Sequence, residues 1–209
     1  MAESIPVTDF KDLRRIYTKR PQNRDPAKSS KRRIYSLDTE TYKGDIFLIS
    51  DSDGRFLDKI TPELCLDWLY YRKYEGSWCF FYNLGYDAEV ILKLLGPELF
   101  KYRDTGKLRF LFKKYKIEYY PNKCLKISKG HHSVIFYDIA QFYHASLVNA
   151  YQTNIKKLDD SYLKIKSKRA EFTSTFYRRN TNQVREYCIK DCKLTKQLAQ
   201  HWIKLFHNA

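Results

Sequence analysis

The chain has 209 residues, of which 43% are hydrophobic and 16% aromatic, enough apolar material for one packed domain with an extension. A formal net charge of +15 points to a polyanionic partner, with nucleic acid the first expectation. No run of about 18 apolar residues, no apolar signal core after Met1 and no clean amphipathic basic helix occurs, which argues against a membrane protein or a secreted one.

The first 33 residues are polar and basic, and Pro21, Pro26 and Ser29-Ser30 interrupt any regular pattern. They read as a mobile arm with one short helix near 9–17, suited either to non-specific phosphate contact or to a solvated tail. The globular domain, 34–209, opens with Ile34-Tyr35-Ser36-Leu37-Asp38-Thr39-Glu40-Thr41, an apolar strand ending in two carboxylates one residue apart. Strand side chains alternate, so Asp38 and Glu40 share a face and Thr39 points back. Two like charges on one face call for a cation or a shared proton, and hard oxygen ligands suit Mg²⁺ or Mn²⁺. Alone, such a pair is most often a solvated strand end.

Lys43-Gly44 turns the chain into a second strand over 45–50, and Asp51-Ser52-Asp53-Gly54 turns it into a third over 55–60. Asp51 and Asp53 lack the downstream bidentate Glu of a calcium loop. Thr61-Pro62-Glu63 starts a helix running to about 73, with Leu64, Trp68 and Leu69 inward. Ser77-Trp78-Cys79-Phe80-Phe81-Tyr82 is a strand apolar on both faces. Asn83-Leu84-Gly85-Tyr86-Asp87 follows, and a helix with Val90, Ile91, Leu94 and Leu95 on one side ends at Gly96-Pro97.

Short strands are expected at 108–112, 116–120, 124–127 and 133–137, then a helix over 142–151. Residues 155–180 are basic and poorly periodic, a loop or broken helix along a nucleic-acid path or a solvated face. A long helix, 183–207, places Ile189, Cys192, Thr195, Ala199, Trp202 and Phe206 on one stripe, with Tyr187, Asp191, Leu194 and Leu198 beside it. The cysteines Cys65, Cys79, Cys124, Cys188 and Cys192 are odd in number and form no Cys-x-x-Cys pair. Reduced thiols in a cytoplasmic protein are expected rather than disulfides or a zinc site.

Tyr187 and Asp191 lie one helical turn apart. If the strand before Asp87 runs parallel to the first, the carboxyl ends of the two strands meet, where open α/β sheets hold ligands. Asp38, Glu40, Asp87 and Asp191 then converge on two divalent cations about 4 Å apart, the arrangement of a phosphodiester-cleaving site.

These blocks, in this order, resemble the three exonuclease motifs of the DEDD superfamily: Leu37-Asp38-Thr39-Glu40-Thr41, Tyr82-Asn83-Leu84-Gly85-Tyr86-Asp87 and Tyr187-Cys188-Ile189-Lys190-Asp191, the last in its Tyr-x-x-x-Asp form. The closest likeness is to the proofreading 3′–5′ exonuclease domain of family-B DNA polymerases, protein-primed ones in particular. It implies an α/β, ribonuclease-H-like mixed sheet with three antiparallel strands, further parallel strands, flanking helices and a β-hairpin insertion. It implies four carboxylates on two Mg²⁺ or Mn²⁺ ions, with Tyr187 orienting the attacking water, and substrate contacts from Thr41, Asn83, Tyr86, Ser146 and Leu147. The few residues after Asp191 leave no room here for a polymerase. The expectation is a stand-alone exonuclease on single-stranded DNA ends, releasing nucleoside 5′-monophosphates and working beside a separate polymerase or repair factor. An exoribonuclease, a structure-specific endonuclease and an inactive nucleic-acid-binding module are the rivals.

Overall fold

The computed structural model describes residues 32–96, 108–169 and 173–207, without the side chains of Ser174, Phe206 and His207. The expected basic arm, up to residue 31, lies outside the described residues.

The first strand, β1 (Ile34–Tyr42), pairs antiparallel with β2 (Asp45–Asp51), and β2 with the short β3 (Phe56–Leu57). Lys43 and Gly44 both take positive φ, 52° and 80°, the mirror-image turn whose twist matches its flanking strands. The second turn is tied by Asp51, whose Oδ1 accepts from the backbone N–H groups of Asp53 and Arg55, both at 2.9 Å. The Tyr74 hydroxyl donates to its Oδ2 at 2.7 Å. That carboxylate therefore serves the turn itself.

Helix α1 (Pro62–Leu69) is capped by Thr61, whose hydroxyl accepts from the Leu64 N–H at 3.2 Å. It ends at Leu69, earlier than the sequence suggests, and a 3₁₀ turn covers Arg72–Tyr74. Leu64 is 44% exposed, not inward; Cys65, Leu66, Trp68 and Leu69 form the buried face. Strand β4 (Trp78–Phe81) runs parallel to β1, and helix α2 (Leu84–Leu95) follows it.

Strands β5 (Leu108–Phe112), β6 (Tyr115–Tyr120), β7 (Cys124–Lys129) and β8 (His132–Asp138) form an antiparallel meander. Rather than standing apart as a hairpin, it continues the sheet, because β8 pairs parallel with β4. The sheet has eight strands in the order β3-β2-β1-β4-β8-β7-β6-β5. This mixed α/β arrangement is compatible with a ribonuclease-H-like fold.

The expected helix over 142–151 is two helices, α3 (Ala140–Tyr143) and α4 (Leu147–Asn154). His144 leaves α3 in the left-handed region, φ 48°, and extended Ser146 starts α4 by accepting from the Asn149 N–H at 3.3 Å. The basic stretch contains α5 (Asp160–Ser167) and α6 (Ser174–Arg179), and α7 (Thr181–His207) closes the fold.

One sheet face carries α1 and α2 over Tyr35, Leu37, Cys79 and Phe81; the other carries α7 over Ser36, Leu48 and Phe80. The buried face of α7 comprises Val184, Tyr187, Cys188, Asp191, Cys192, Leu194, Thr195, Leu198 and Ala199, merging the two expected stripes. Ile189 falls outside it and is half-buried. Helix and sheet are stitched by Ser36, whose hydroxyl donates to the Cys192 carbonyl, and by the Cys192 thiol, which donates to the Ser50 carbonyl at 3.3 Å. The five cysteines are free thiols. Among the described residues, no helix is long and apolar enough to cross a membrane.

Candidate active site

At the carboxyl ends of β1, β4 and β8 lies a cleft of about 860 Å³. Asp38, Thr41, Asn83, Tyr86, Asp87, Ser146, Leu147 and Asp191 line it, together with Tyr82, Gln141, His144, Lys166 and Arg169. Glu40 and Tyr187 stand behind this wall, both nearly fully buried, and touch it through Arg169 and Asp191.

Alternation along β1 sends Asp38 and Glu40 toward α7, and the β1–β2 register breaks between Glu40 and Thr41. One ligand atom from each of Asp38, Glu40 and Cys188 lies within 4.8 Å of the others. Glu40 Oε1 is buried with no hydrogen-bond partner, and its Oε2 faces the Arg169 Nε at 3.5 Å. Cys188 was legible only as a buried thiol. Its Sγ lies 3.6 Å from the Asp38 carbonyl and 3.7 Å from Asp38 Oδ2. Burial, then a hydrogen bond with Cys192, raises its pKa well above the usual thiol value, so it donates to Asp38 as a thiol.

Asp87 lies in the first turn of α2, outside the tight group of Asp38 and Glu40. Its Oδ1 accepts from the Thr39 backbone N–H at 3.2 Å and from the Thr39 hydroxyl at 2.6 Å. Thr39, which points away from the two strand carboxylates, is thus the link that holds the third. Asp191 is held on α7 by three donors: the Tyr162 hydroxyl on Oδ1, and on Oδ2 the Tyr187 hydroxyl at 3.0 Å and the Lys166 ammonium at 2.9 Å. Lys166 also donates to the Tyr162 and Tyr187 hydroxyls, at 3.1 and 3.2 Å.

The electrostatics follow from burial. Desolvation, then the Asp191 charge, pushes Asp38 from the usual 3.8 up to about 7, against the pull of Arg169 and Lys166. Burial and the neighbouring Asp38 raise Glu40 well above its ordinary value. The same two causes raise Asp87, opposed by the Thr39 hydrogen bond. Burial works against the charge on Arg169, but Glu40 and Asp38 outweigh it and hold the guanidinium above its usual pKa. Burial and Asp191 raise Tyr187, so its phenol stays protonated.

The donor set fits hard divalent cations. Carboxylate oxygens dominate it, one of them buried and unpartnered, and against four carboxylates stand the cations Lys166 and Arg169. Asp38, Glu40, Asp87 and Asp191 are the residues that would hold them.

The expected substrate contacts lie on the same cleft. Tyr86 is 44% exposed, and its hydroxyl is hydrogen-bonded to that of Thr41. Asn83 is exposed in the left-handed region, φ 65°, without a side-chain cap to α2. Its N–H donates to Asp138 Oδ1 at 3.1 Å, and the Ala140 N–H donates to the same oxygen at 2.9 Å. Asp138, read from the sequence as a strand end, is a buried brace between the β4–α2 and β8–α3 turns. Asp138→Ala should cost about 1–3 kcal/mol of stability, read as a lower urea midpoint, because it strands two backbone donors. An unchanged midpoint would remove that role.

Sequence reasoning left out Tyr162, Lys166 and Arg169. A signal was there: their spacing of four and three residues puts all three on one helical face. Comparison with protein-family models, with curated proteins and with solved structures returned no match for this chain.

Proposed function

We propose that the chain is a metal-dependent 3′–5′ exonuclease of the DEDD type, acting on single-stranded DNA ends. The observation that carries this is Asp38 lining a cleft with Asp87 and Asp191, with Glu40 paired to it just behind the wall and Glu40 Oε1 left buried and unpartnered. The polarity of cleavage is what the resemblance of the three motifs to those of DEDD exonucleases implies.

Asp38, Glu40, Asp87 and Asp191 would hold two Mg²⁺ or Mn²⁺ ions, which when bound would supply an activated water and neutralise charge on the departing 3′ oxygen. The chain's own residues do the rest. Tyr86 offers an exposed ring for stacking of the terminal base, an interaction that tolerates any base. Asn83, Ser146 and Leu147 line the same cleft. Lys166 and Arg169 place positive charge where a phosphate enters. Tyr187, protonated and with its hydroxyl proton on Asp191, orients an attacking water by accepting from it and does not remove its proton. Tyr187→Phe should therefore lower kcat about 10–100-fold, with a stability loss of about 1 kcal/mol from the buried hydroxyl that bonds Asp191 and Lys166. A variant as active as the parent would take Tyr187 out of the chemistry.

A second reading has its own observation: Lys166 pairs with Asp191 and Arg169 with Glu40, so half of the carboxylates already have internal counter-charges. A domain neutralised this way would bind nucleic acid without cutting it. The deciding experiment incubates 5′-labelled single-stranded DNA, duplex DNA and RNA with Mg²⁺, Mn²⁺ or chelator. A ladder on single-stranded DNA that shortens from the 3′ end and vanishes with chelator is expected. Cleavage of RNA alone would move the substrate to RNA, and retarded but uncut DNA would favour the binding module.

A further inference from the structure

We propose that the α7-side face of β5, β6 and β7 is a platform for the phosphate backbone of the strand whose end enters the cleft; this rests on the nuclease reading. Arg109 on β5 lies opposite Glu118 on β6, and Glu118 lies opposite Lys126 on β7. Lys116, two residues before Glu118, shares its face. Glu118 is 4% exposed and is ringed by Arg109 at 2.6 Å, Lys116 at 3.5 Å and Lys126 at 3.7 Å. Those cations remain 53%, 45% and 35% exposed in their side chains. One buried carboxylate thus organises three solvent-facing cations and leaves two positive charges in surplus.

The other face of the same strands differs. It is apolar, with Tyr115, Ile117, Tyr119, Leu125 and Ile127 buried, and in the turn between β5 and β6 Lys113 pairs with Glu63 and Lys114 with Asp67 of α1. The surplus therefore belongs to one side of the sheet, and the strand register shows which. Lys126 pairs with Ile135, Tyr137 with Phe80, and Phe80 with Ser36, so all of these share a face. Ser36 shares it in turn with Asp38 and Glu40 by alternation. The cations lie on the same side of the sheet as the carboxylates.

Strand spacing sets the reach. β7 and β5 are three and five steps from β1 in the sheet, about 14–24 Å at ~4.8 Å per step. Lys126 sits about four residues below the level of Asp38 along the strands, a further ~13 Å at ~3.3 Å per residue. A stacked strand carries one phosphate per ~3.4 Å, so the platform meets phosphates roughly 6–8 nucleotides from the reacting end. Three cations spread over three adjacent strands, each at least a third exposed, match a spaced polyanion rather than a single phosphate.

The test uses the full chain with Arg109, Lys116, Lys126 and Glu118 all changed to Gln, so that no buried carboxylate is stranded. Anisotropy of 5′-fluorescein oligothymidylates of four and twenty nucleotides is read in chelator from low to moderate salt. The variant should lose about tenfold affinity for the 20-mer and little for the 4-mer, and its salt slope should flatten by about 1–2. Lys116→Gln alone, at an exposed position, should lose about threefold and guards against misfolding of the multiple variant. Unchanged 20-mer affinity in Lys116→Gln and in a folded multiple variant overturns the platform, as does equal loss for both lengths. So does displacement of the 20-mer by poly-glutamate as readily as by DNA, which would point to an acidic protein partner. The p-nitrophenyl ester of thymidine 5′-monophosphate, too short to reach these strands, reports the cleft separately. If the parent hydrolyses neither ester nor oligonucleotide but binds the 20-mer through these cations, the platform stands and the nuclease reading falls.

Discussion

Asp38→Ala should lower nucleotide release by at least ~10³-fold while leaving the fold intact. Metal-ion catalysis supplies several kcal/mol of transition-state stabilisation, and each ~1.4 kcal/mol is a factor of ten in rate. Asp38 shares its face with Glu40 and lines the cleft, so its loss would remove a central ligand of the proposed metal site. Its carboxyl is pushed up to about 7 by burial and by Asp191, which means that its charge strains the metal-free fold. The alanine variant should accordingly melt no lower than the parent at pH 8 without divalent cation. Asp38→Asn, nearly isosteric, separates charge from packing and should be as inactive as the alanine. Full cleavage by either variant would end the assignment of this cleft as the active site.

The stability of the metal-free protein should fall as pH rises from about 4.5 to 8, and Mn²⁺ or Mg²⁺ should reverse the fall. The sign follows from which state holds more protons. Asp38, Glu40 and Asp87 have pKa values raised in the folded state, so between their unfolded and folded values the native protein binds more protons than the unfolded chain. Their contribution is complete below the unfolded value near 4 and is lost as pH passes the folded value, about 7 for Asp38. A shift of about three units corresponds to a few kcal/mol at ~1.4 kcal/mol per unit, a fall of several degrees in melting temperature.

Opposing groups act at lower pH. The Tyr115 hydrogen bond holds Asp67 below its ordinary value, and Arg185 does the same for Asp58 against its burial. Their support fades only below about pH 4, so the window above it isolates the cleft. A divalent cation at 100 times its dissociation constant would return about 2.7 kcal/mol. A flat profile from pH 4.5 to 8, or no response to either cation, would contradict the electrostatics described here.

The reading of 155–180 shows where sequence reasoning stops. Eight basic residues without a clean apolar stripe, such as Lys164, Lys166 and Arg169, register as a charged loop or broken helix, because periodicity detects burial against a core. Yet α5 turns Tyr162 and Lys166 toward Asp191, and Arg169 just beyond it faces Glu40. Their partners lie on β1 and α7, elements separated from them in the chain. Thr39 and Asp138 were missed for a related reason: each acts through one hydrogen bond or two to an element that no local pattern identifies.

While the mixed sheet was what the motif resemblance implied, the sequence by itself determined most of the strands, the long carboxyl-terminal helix and the acidic residues worth watching. These rest on alternation, helical spacing and turn chemistry, which act over a few neighbouring residues. Only the tertiary structure decided that β5–β7 extend the sheet, that Asp38 and Glu40 form the tight group with Asp87 and Asp191 on the walls, and that Lys166 and Arg169 oppose them. Those outcomes depend on which strand pairs with which and on how burial changes the energy of a charge, and both are settled by contacts between distant parts of the chain.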